Sequence, residues 1–190
     1  MRKFILGFAV GVVAILVGMY VYIRFGFADP RADVPVGALE AKIAMPALDA
    51  AVDRRAPEMQ NPVQANDESL LSGMRIYQVN CASCHGDIKH PQAPLANALY
   101  PRAPQFTQDA ADMPENQNFY IIQHGIRLSG MPAWKDVLST SQMWQVTTFL
   151  SHMDKLAPNI SQEWNSAADA TPGQSVPPAG DQKGHNGMKM

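Results

Sequence analysis

Five consecutive residues, Cys81-Ala82-Ser83-Cys84-His85, hold both cysteines of the 190-residue chain and follow them at once with a histidine. Residues three apart on a helical turn share a face. Two thiols at this spacing can add to the two vinyl groups of one porphyrin, and the adjacent imidazole is carried under the ring to bind iron. The expected cofactor is therefore a single covalent haem c with its iron, held by Cys81, Cys84 and His85. Other chemistries fit less well. A thioredoxin-like dithiol wants a βαβ setting, and the chain shows no strand alternation of useful length. A zinc site normally needs a second Cys or His pair, and no further cysteine exists. A chance match would have to use every cysteine in the chain, and with only two cysteines a disulfide framework is excluded.

A second axial ligand must face His85 from downstream. Met131, in Ser129-Gly130-Met131-Pro132-Ala133-Trp134, is the leading candidate. Its thioether suits ferrous iron, His/Met ligation raises the reduction potential, and the flanking Gly and Pro present the sulfur on a short loop. The rival is His124, at the end of an expected helix where a histidine is favourable for dipole reasons alone. Met113, Met143 and Met153 read as core fillers, and His90 and His152 as surface residues.

The elements that must position these groups lie between Asp67 and Leu156. Three helices are expected: about 68–80 with Asn66 or Asp67 as N-cap, about 115–124 stopped by Gly125, and about 142–156. The third has capping-box spacing at Ser139 and Gln142 and an apolar stripe at Val146, Phe149, Leu150 and Met153. Residues 85–113 read as loop, with prolines at 91, 94, 101 and 104. About ninety residues bury proportionally little surface, so a large apolar cofactor would complete the core.

This region resembles the monohaem class I c-type cytochromes. CASCH at 81–85, HGIRLSGMPAW at 124–134 and SQMWQVTTFL at 141–150 carry the resemblance. It implies an all-α, cytochrome c-like domain wrapped around one covalent haem. The first and last helices would cross closely, with Gly73 and Tyr77 on one side and Trp144 with Phe149 or Leu150 on the other. It also implies a loop carbonyl that fixes the ligand imidazole, here assigned to Pro94, with Pro101 and Pro104 as alternatives. Arg127 and Trp134 are candidates for propionate contact, against surface charge and core packing as their plainer roles.

Phe4 to Ile23 is an uncharged run of 20 residues, long enough to cross the roughly 30 Å hydrocarbon core. Arg2 and Lys3 precede it, so the N-terminus is expected inside and the remainder outside, on the periplasmic side of the cytoplasmic membrane. A cleaved signal peptide is the alternative, and Gly26-Phe27-Ala28 offers a small-x-small site. Gly7, Gly11, Ala14 and Gly18 share a helix face and include a GxxxG, a candidate contact for another transmembrane helix. The expected organisation is an anchor over 1–24, a tether over 25–66, the haem domain over 67–156 and a disordered tail over 157–190. In the tether, a short helix is expected between Gly37 and Ala51, with Pro46 interrupting any longer one; packing as a collar on the domain or on a partner is the alternative. In the tail, His185, Met188 and Met190 are a weak copper motif, set against an ordinary solvated end.

With net charge -2 and pI near 6.2, the chain has no basic footprint for nucleic acid. Between Asp67 and Leu156 there are six basic and eight acidic side chains, a mildly acidic domain. With both axial positions filled by protein, the expected function is one-electron transfer between membrane-bound or periplasmic redox proteins. The alternatives are a haem subunit of a larger oxidoreductase, or a sensor or peroxidase with a displaceable Met131.

Overall fold

Uncharged and strong helix-forming stretches dominate the sequence, and the structure follows them. It is a computed structural model that describes residues 1–27 and 29–167. Among these residues every regular element is helical, giving the all-α class expected. The chain divides into two units, Met1–Ala32 and Asp33–Met190.

The first unit is helix α1 (Arg2–Arg24), 23 residues long. At 1.5 Å per residue it extends about 34 Å, enough to cross a hydrocarbon core of about 30 Å. It is compatible with a membrane anchor and equally with a signal sequence.

The second unit starts with α2 (Ala38–Arg55), which runs for 18 residues straight through Pro46. The expectation that Pro46 would stop a long helix does not hold. Proline removes one hydrogen bond, but six alanines in this stretch supply the best helix former, and the helix is held at both ends. Tyr100 donates to the Glu40 carboxylate near its start. Near its finish Val52 is buried, Gln117 Nε2 donates to Asp53 at 3.2 Å, and Asn116 donates to the Pro57 carbonyl at 3.0 Å. Beyond it, Asn61 Nδ2 donates to Thr148 Oγ1 at 2.8 Å. The end of α2 and the segment up to Asn61 thus touch the domain, whereas most of α2 is exposed.

Helix α3 (Asp67–Asn80) is capped by Asn66, which accepts from Ser69 N–H while the Ser69 hydroxyl accepts from Asn66 N–H. After it come the single turn α4 (Ala82–His85), a 3-10 turn at Pro94–Ala98, α5 (Glu115–His124) and α6 (Thr140–His152). The expected capping box at Ser139 and Gln142 is present. The last helix ends earlier than expected, at His152, and a 3-10 turn, Met153–Lys155, follows.

Helices α3 and α6 form the main contact of the domain, and Gly73 sets their distance. A Cβ there would stand 2.2 Å from the Gln145 carbonyl oxygen and 2.7 Å from Phe149 Cβ. Phe149 therefore takes the expected place opposite the glycine. Trp144 serves a different contact, stacking on Phe119 of α5 with ring centroids 4.0 Å apart.

Residues 158–167 were expected to open a disordered tail. Instead they form α7 (Pro158–Ala167). Pro158 occupies the first helical position, where its missing N–H costs nothing. Ile160 and Trp164, four apart on one face, are both buried. Trp164 meets the edges of Tyr77 and Phe149 at centroid distances of 6.4 and 5.3 Å, and Asn159 donates to Asp67 at 2.7 Å. The remainder of the expected tail, with His185, Met188 and Met190, lies outside the described residues.

Truncating Trp164 to alanine should cost about 3–5 kcal/mol, as for other large aromatic truncations in cores. Its indole Nε1 has no acceptor among the described residues, so Trp164→Phe should stay much closer to wild type. Thermal unfolding of the two variants checks both.

Candidate functional site

The CxxCH turn is built directly on the end of α3. Cys81 ends α3 and begins α4, its N–H donating to the Tyr77 carbonyl at 2.7 Å, and its own carbonyl accepts from Cys84 and His85 N–H at 3.0 and 2.9 Å. Both thiols are free, on residues of intermediate exposure. Burial, helped by the neighbouring Cys84, pushes the Cys81 thiol up to about 12, so that it stands protonated rather than as a thiolate. Gly86 ends the turn with φ of 80°, where a Cβ would lie 2.7 Å from the Pro91 carbonyl oxygen. The Tyr77 hydroxyl, fully buried, donates to the Gly86 carbonyl at 2.8 Å. Burial pushes the pKa of Tyr77 up, which keeps it a hydroxyl donor.

The structure corrects one expectation about His85. The carbonyl at its Nδ1 belongs to Pro104, at 2.9 Å, and not to Pro94, which instead opens the 3-10 turn Pro94–Ala98 packed against α4. The loop needs the extra ten residues to pass around that turn before it can return beneath the imidazole. A carbonyl partner assigns the proton to Nδ1 and leaves the Nε2 lone pair free. Burial, opposed in part by the Pro104 bond, pushes the His85 pKa down, so the neutral, ligand-competent imidazole is favoured.

Two further residues hold this loop that the sequence did not single out. Gln105 spans it: Nε2 donates to the carbonyls of Cys84 at 3.0 Å and Ala103 at 2.8 Å, and Oε1 accepts from Ala93 N–H at 2.7 Å. Phe106 stacks on the His85 ring with centroids 4.7 Å apart, and its N–H donates to the His85 carbonyl at 3.2 Å. No spacing rule marks a glutamine for this work. Adjacency to a proline that reaches back to the ligand histidine is the signal that would have drawn attention to both.

Met131 lies on the loop after α5, half-buried and packed against the core. Gly125 begins that loop with φ of 66°, and a Cβ there would meet the Met131 carbonyl oxygen at 2.6 Å. His124 is exposed and its ring lies against Tyr120 at 4.7 Å. Trp134 is half-buried against the core, its N–H donating to the Ile122 carbonyl at 3.1 Å, and Arg127 is exposed.

These donors fit haem iron. Two free thiols stand three apart on one turn, an imidazole has its distal nitrogen unprotonated, and a thioether lies on a loop at the edge of the core. The thiols would hold the porphyrin, while His85 and the downstream sulfur would hold the metal.

Comparison with known proteins agrees. Residues 68–150 match the family model described as cytochrome C oxidase, cbb3-type, subunit III. A search of curated proteins finds no match. Among solved structures the chain is similar to one from the Kuenenia stuttgartiensis reducing HAO-like protein complex, at 20% identity and a TM-score of 0.39, covering 60% of each chain. The chain thus spans less than two thirds of that relative's length. The matched segment begins within α3 and ends within α6, so the two helices that meet at Gly73 bracket it, and the CxxCH turn lies inside. The match over residues 68–150 supports a cytochrome c-like domain that carries a haem cofactor with iron.

Proposed function

We propose that this protein is a one-electron carrier with a single covalently attached haem c, ligated by His85 and Met131 and tethered to the cytoplasmic membrane by α1. The reading rests chiefly on one observation: His85 Nδ1 is held by the Pro104 carbonyl at 2.9 Å immediately after a pair of free thiols. That arrangement serves a fixed metal ligand and has no use in a dithiol redox enzyme. Haem supplies the ferric–ferrous couple when bound. Cys81 and Cys84 would hold the porphyrin and His85 and Met131 the iron, while Gln105 and Phe106 hold the loop against His85. With both protein ligands bound, the group would serve electron transfer rather than activation of a small ligand. Arg2 and Lys3 ahead of the apolar helix favour a cytoplasmic N-terminus and a periplasmic haem domain. Diffusion is then confined to the membrane surface, where the partners would be membrane-bound or periplasmic redox proteins.

A second reading is favoured by the family match, whose description names an oxidase subunit. The chain would then be the haem subunit of a larger oxidoreductase, with the glycine face of α1 (Gly7, Gly11, Ala14, Gly18) as one place for a helix partner.

Purification of the full chain in detergent tests both. Haem that stays with the polypeptide through acid-acetone extraction, at one per chain, is expected; extractable haem would overturn covalent attachment. Co-purification with other haem-bearing chains would favour the subunit reading, and an isolated cytochrome the carrier.

A further inference from the structure

One hydroxyl takes part in two of the four hydrogen bonds that tie the loop carrying Met131. Ser129 Oγ donates to the Ile126 carbonyl at 2.8 Å and accepts from Met131 N–H at 3.1 Å. The Ile126 N–H donates to the Met131 carbonyl at 3.1 Å, and the Ser129 N–H to the Ile126 carbonyl at 3.3 Å. At the tip, Leu128 has φ of 60°, the only non-glycine residue with positive φ among the described residues. Its Cβ makes that conformation unfavourable, and its side chain is 92% exposed, so packing does not compensate. At the base, Gly125 lies under the Met131 carbonyl, and Gly130 lies against the Leu99 side chain, 2.5 Å from where a Cβ would stand. The base is held by close packing and the tip by these hydrogen bonds, two of which run through the Ser129 hydroxyl. Strain maintained against its own relaxation is a mark of a functional constraint.

We propose that Ser129 is a positioning residue for Met131: its hydroxyl joins the two arms of the loop and fixes the methionine backbone where the sulfur can reach the iron. The inference rests on Met131 being the sixth ligand. Without the hydroxyl, Met131 N–H and one bond to the Ile126 carbonyl lose their partner, the Leu128 strain is released by opening, and the sulfur competes less well against an added ligand.

Imidazole titration of the ferric holoprotein, full-length and in detergent, reads this directly. Ser129→Ala should bind imidazole about three- to tenfold more tightly, the equivalent of a typical net hydrogen-bond contribution. Ser129→Thr keeps the hydroxyl and should titrate like wild type. Wild-type affinity in the alanine variant, or alanine-like affinity in the threonine variant, overturns the inference. Hydrogen exchange of the wild-type holoprotein supplies a test that needs no variant. The Met131 amide should exchange more slowly than those of exposed Arg127 and Leu128, and equal rates overturn the hydroxyl tie. The weak sulfur-to-iron charge-transfer band separates this failure from that of the ligation. If wild type lacks the band, Met131 is not the ligand and both readings fall. If the band is present and Ser129→Ala behaves as wild type, only the role of Ser129 falls.

Discussion

Gly73→Val should leave no accumulating haem protein. A side chain at this position meets the Gln145 carbonyl oxygen at 2.2 Å, its carbon at 2.8 Å and Phe149 Cβ at 2.7 Å. Two of these atoms are backbone and the third is fixed to it, so no rotamer change removes the clash. Helix α3 would have to back away from α6, and the contact to be surrendered is the centre of the core: Met74, Tyr77, Val146 and Phe149 are each fully buried. Overpacked cores commonly lose about 1–3 kcal/mol and occasionally more. Here the larger end is expected, a sizeable part of the roughly 5–15 kcal/mol that holds an ordinary domain together. The CxxCH turn begins where α3 ends, so the displacement would also carry Cys81, Cys84 and His85 with it.

Gly130→Ala provides the contrast. Its Cβ would approach the Leu99 Cδ2 at 2.5 Å, a similar distance on paper, but that atom is the far end of a flexible side chain. Denaturant unfolding followed by far-UV circular dichroism should find Gly130→Ala much less damaged than Gly73→Ala. Alanine gains up to about 1 kcal/mol over glycine inside a helix, which works in favour of the Gly73 substitution, so a larger loss there would isolate the steric term.

The parts of the fold that local rules govern were legible in the sequence. Caps at Asn66 and Ser139, the glycine stop after His124 and the apolar stripe on α6 each depend on neighbours within one or two turns. The attachment motif was legible for the same reason: its chemistry is written in five adjacent residues. What escaped depends on distant partners. Helix α2 passes through Pro46 because Tyr100, Gln117 and Asn116 hold it from elsewhere in the chain, and none of these contacts has a local signature. Helix α7 carries only two buried apolar residues, Ile160 and Trp164. Composition calls such a segment disordered, whereas the spacing of four places both on one face, and an aromatic pocket formed by Tyr77 and Phe149 receives the tryptophan.

The loop carbonyl illustrates the same limit inside the site. Four prolines follow the attachment motif, and any of them offers a carbonyl. Choosing Pro104 over Pro94 needs the path of the chain, since the Pro94–Ala98 turn packs on α4 first and the return is closed by Gln105 and Phe106. The motif singled out His85, and folding geometry decided what holds its ring. That division matters for function, because the tautomer and orientation of an axial imidazole come from its outer partner. Residues 94–106 thus fix the imidazole of His85, and the 125–132 loop fixes the place of Met131.

Met131→Ala should produce the largest change in redox behaviour. If the thioether is the sixth ligand, its removal leaves an open or water-filled position on the iron. Thioether favours the ferrous state, being soft and uncharged, and replacing it with a harder oxygen ligand favours the ferric state. The reduction potential should then fall by on the order of 0.1 V or more, within the roughly 0.8 V that axial ligands span. The ferric charge-transfer band should vanish and the reduced variant should bind carbon monoxide, which wild type should resist. The fold should survive, because Met131 is half-buried at the edge of the core and Gly125 and Trp134 hold the loop ends through backbone contacts. His124→Ala is the matched control. Exposed and resting on Tyr120, it should leave the band and the potential as they are. A band retained in Met131→Ala would mean that another sulfur is the ligand, a wild type without the band would point to His124, and carbon monoxide binding by reduced wild type would move the protein from carrier to sensor or peroxidase.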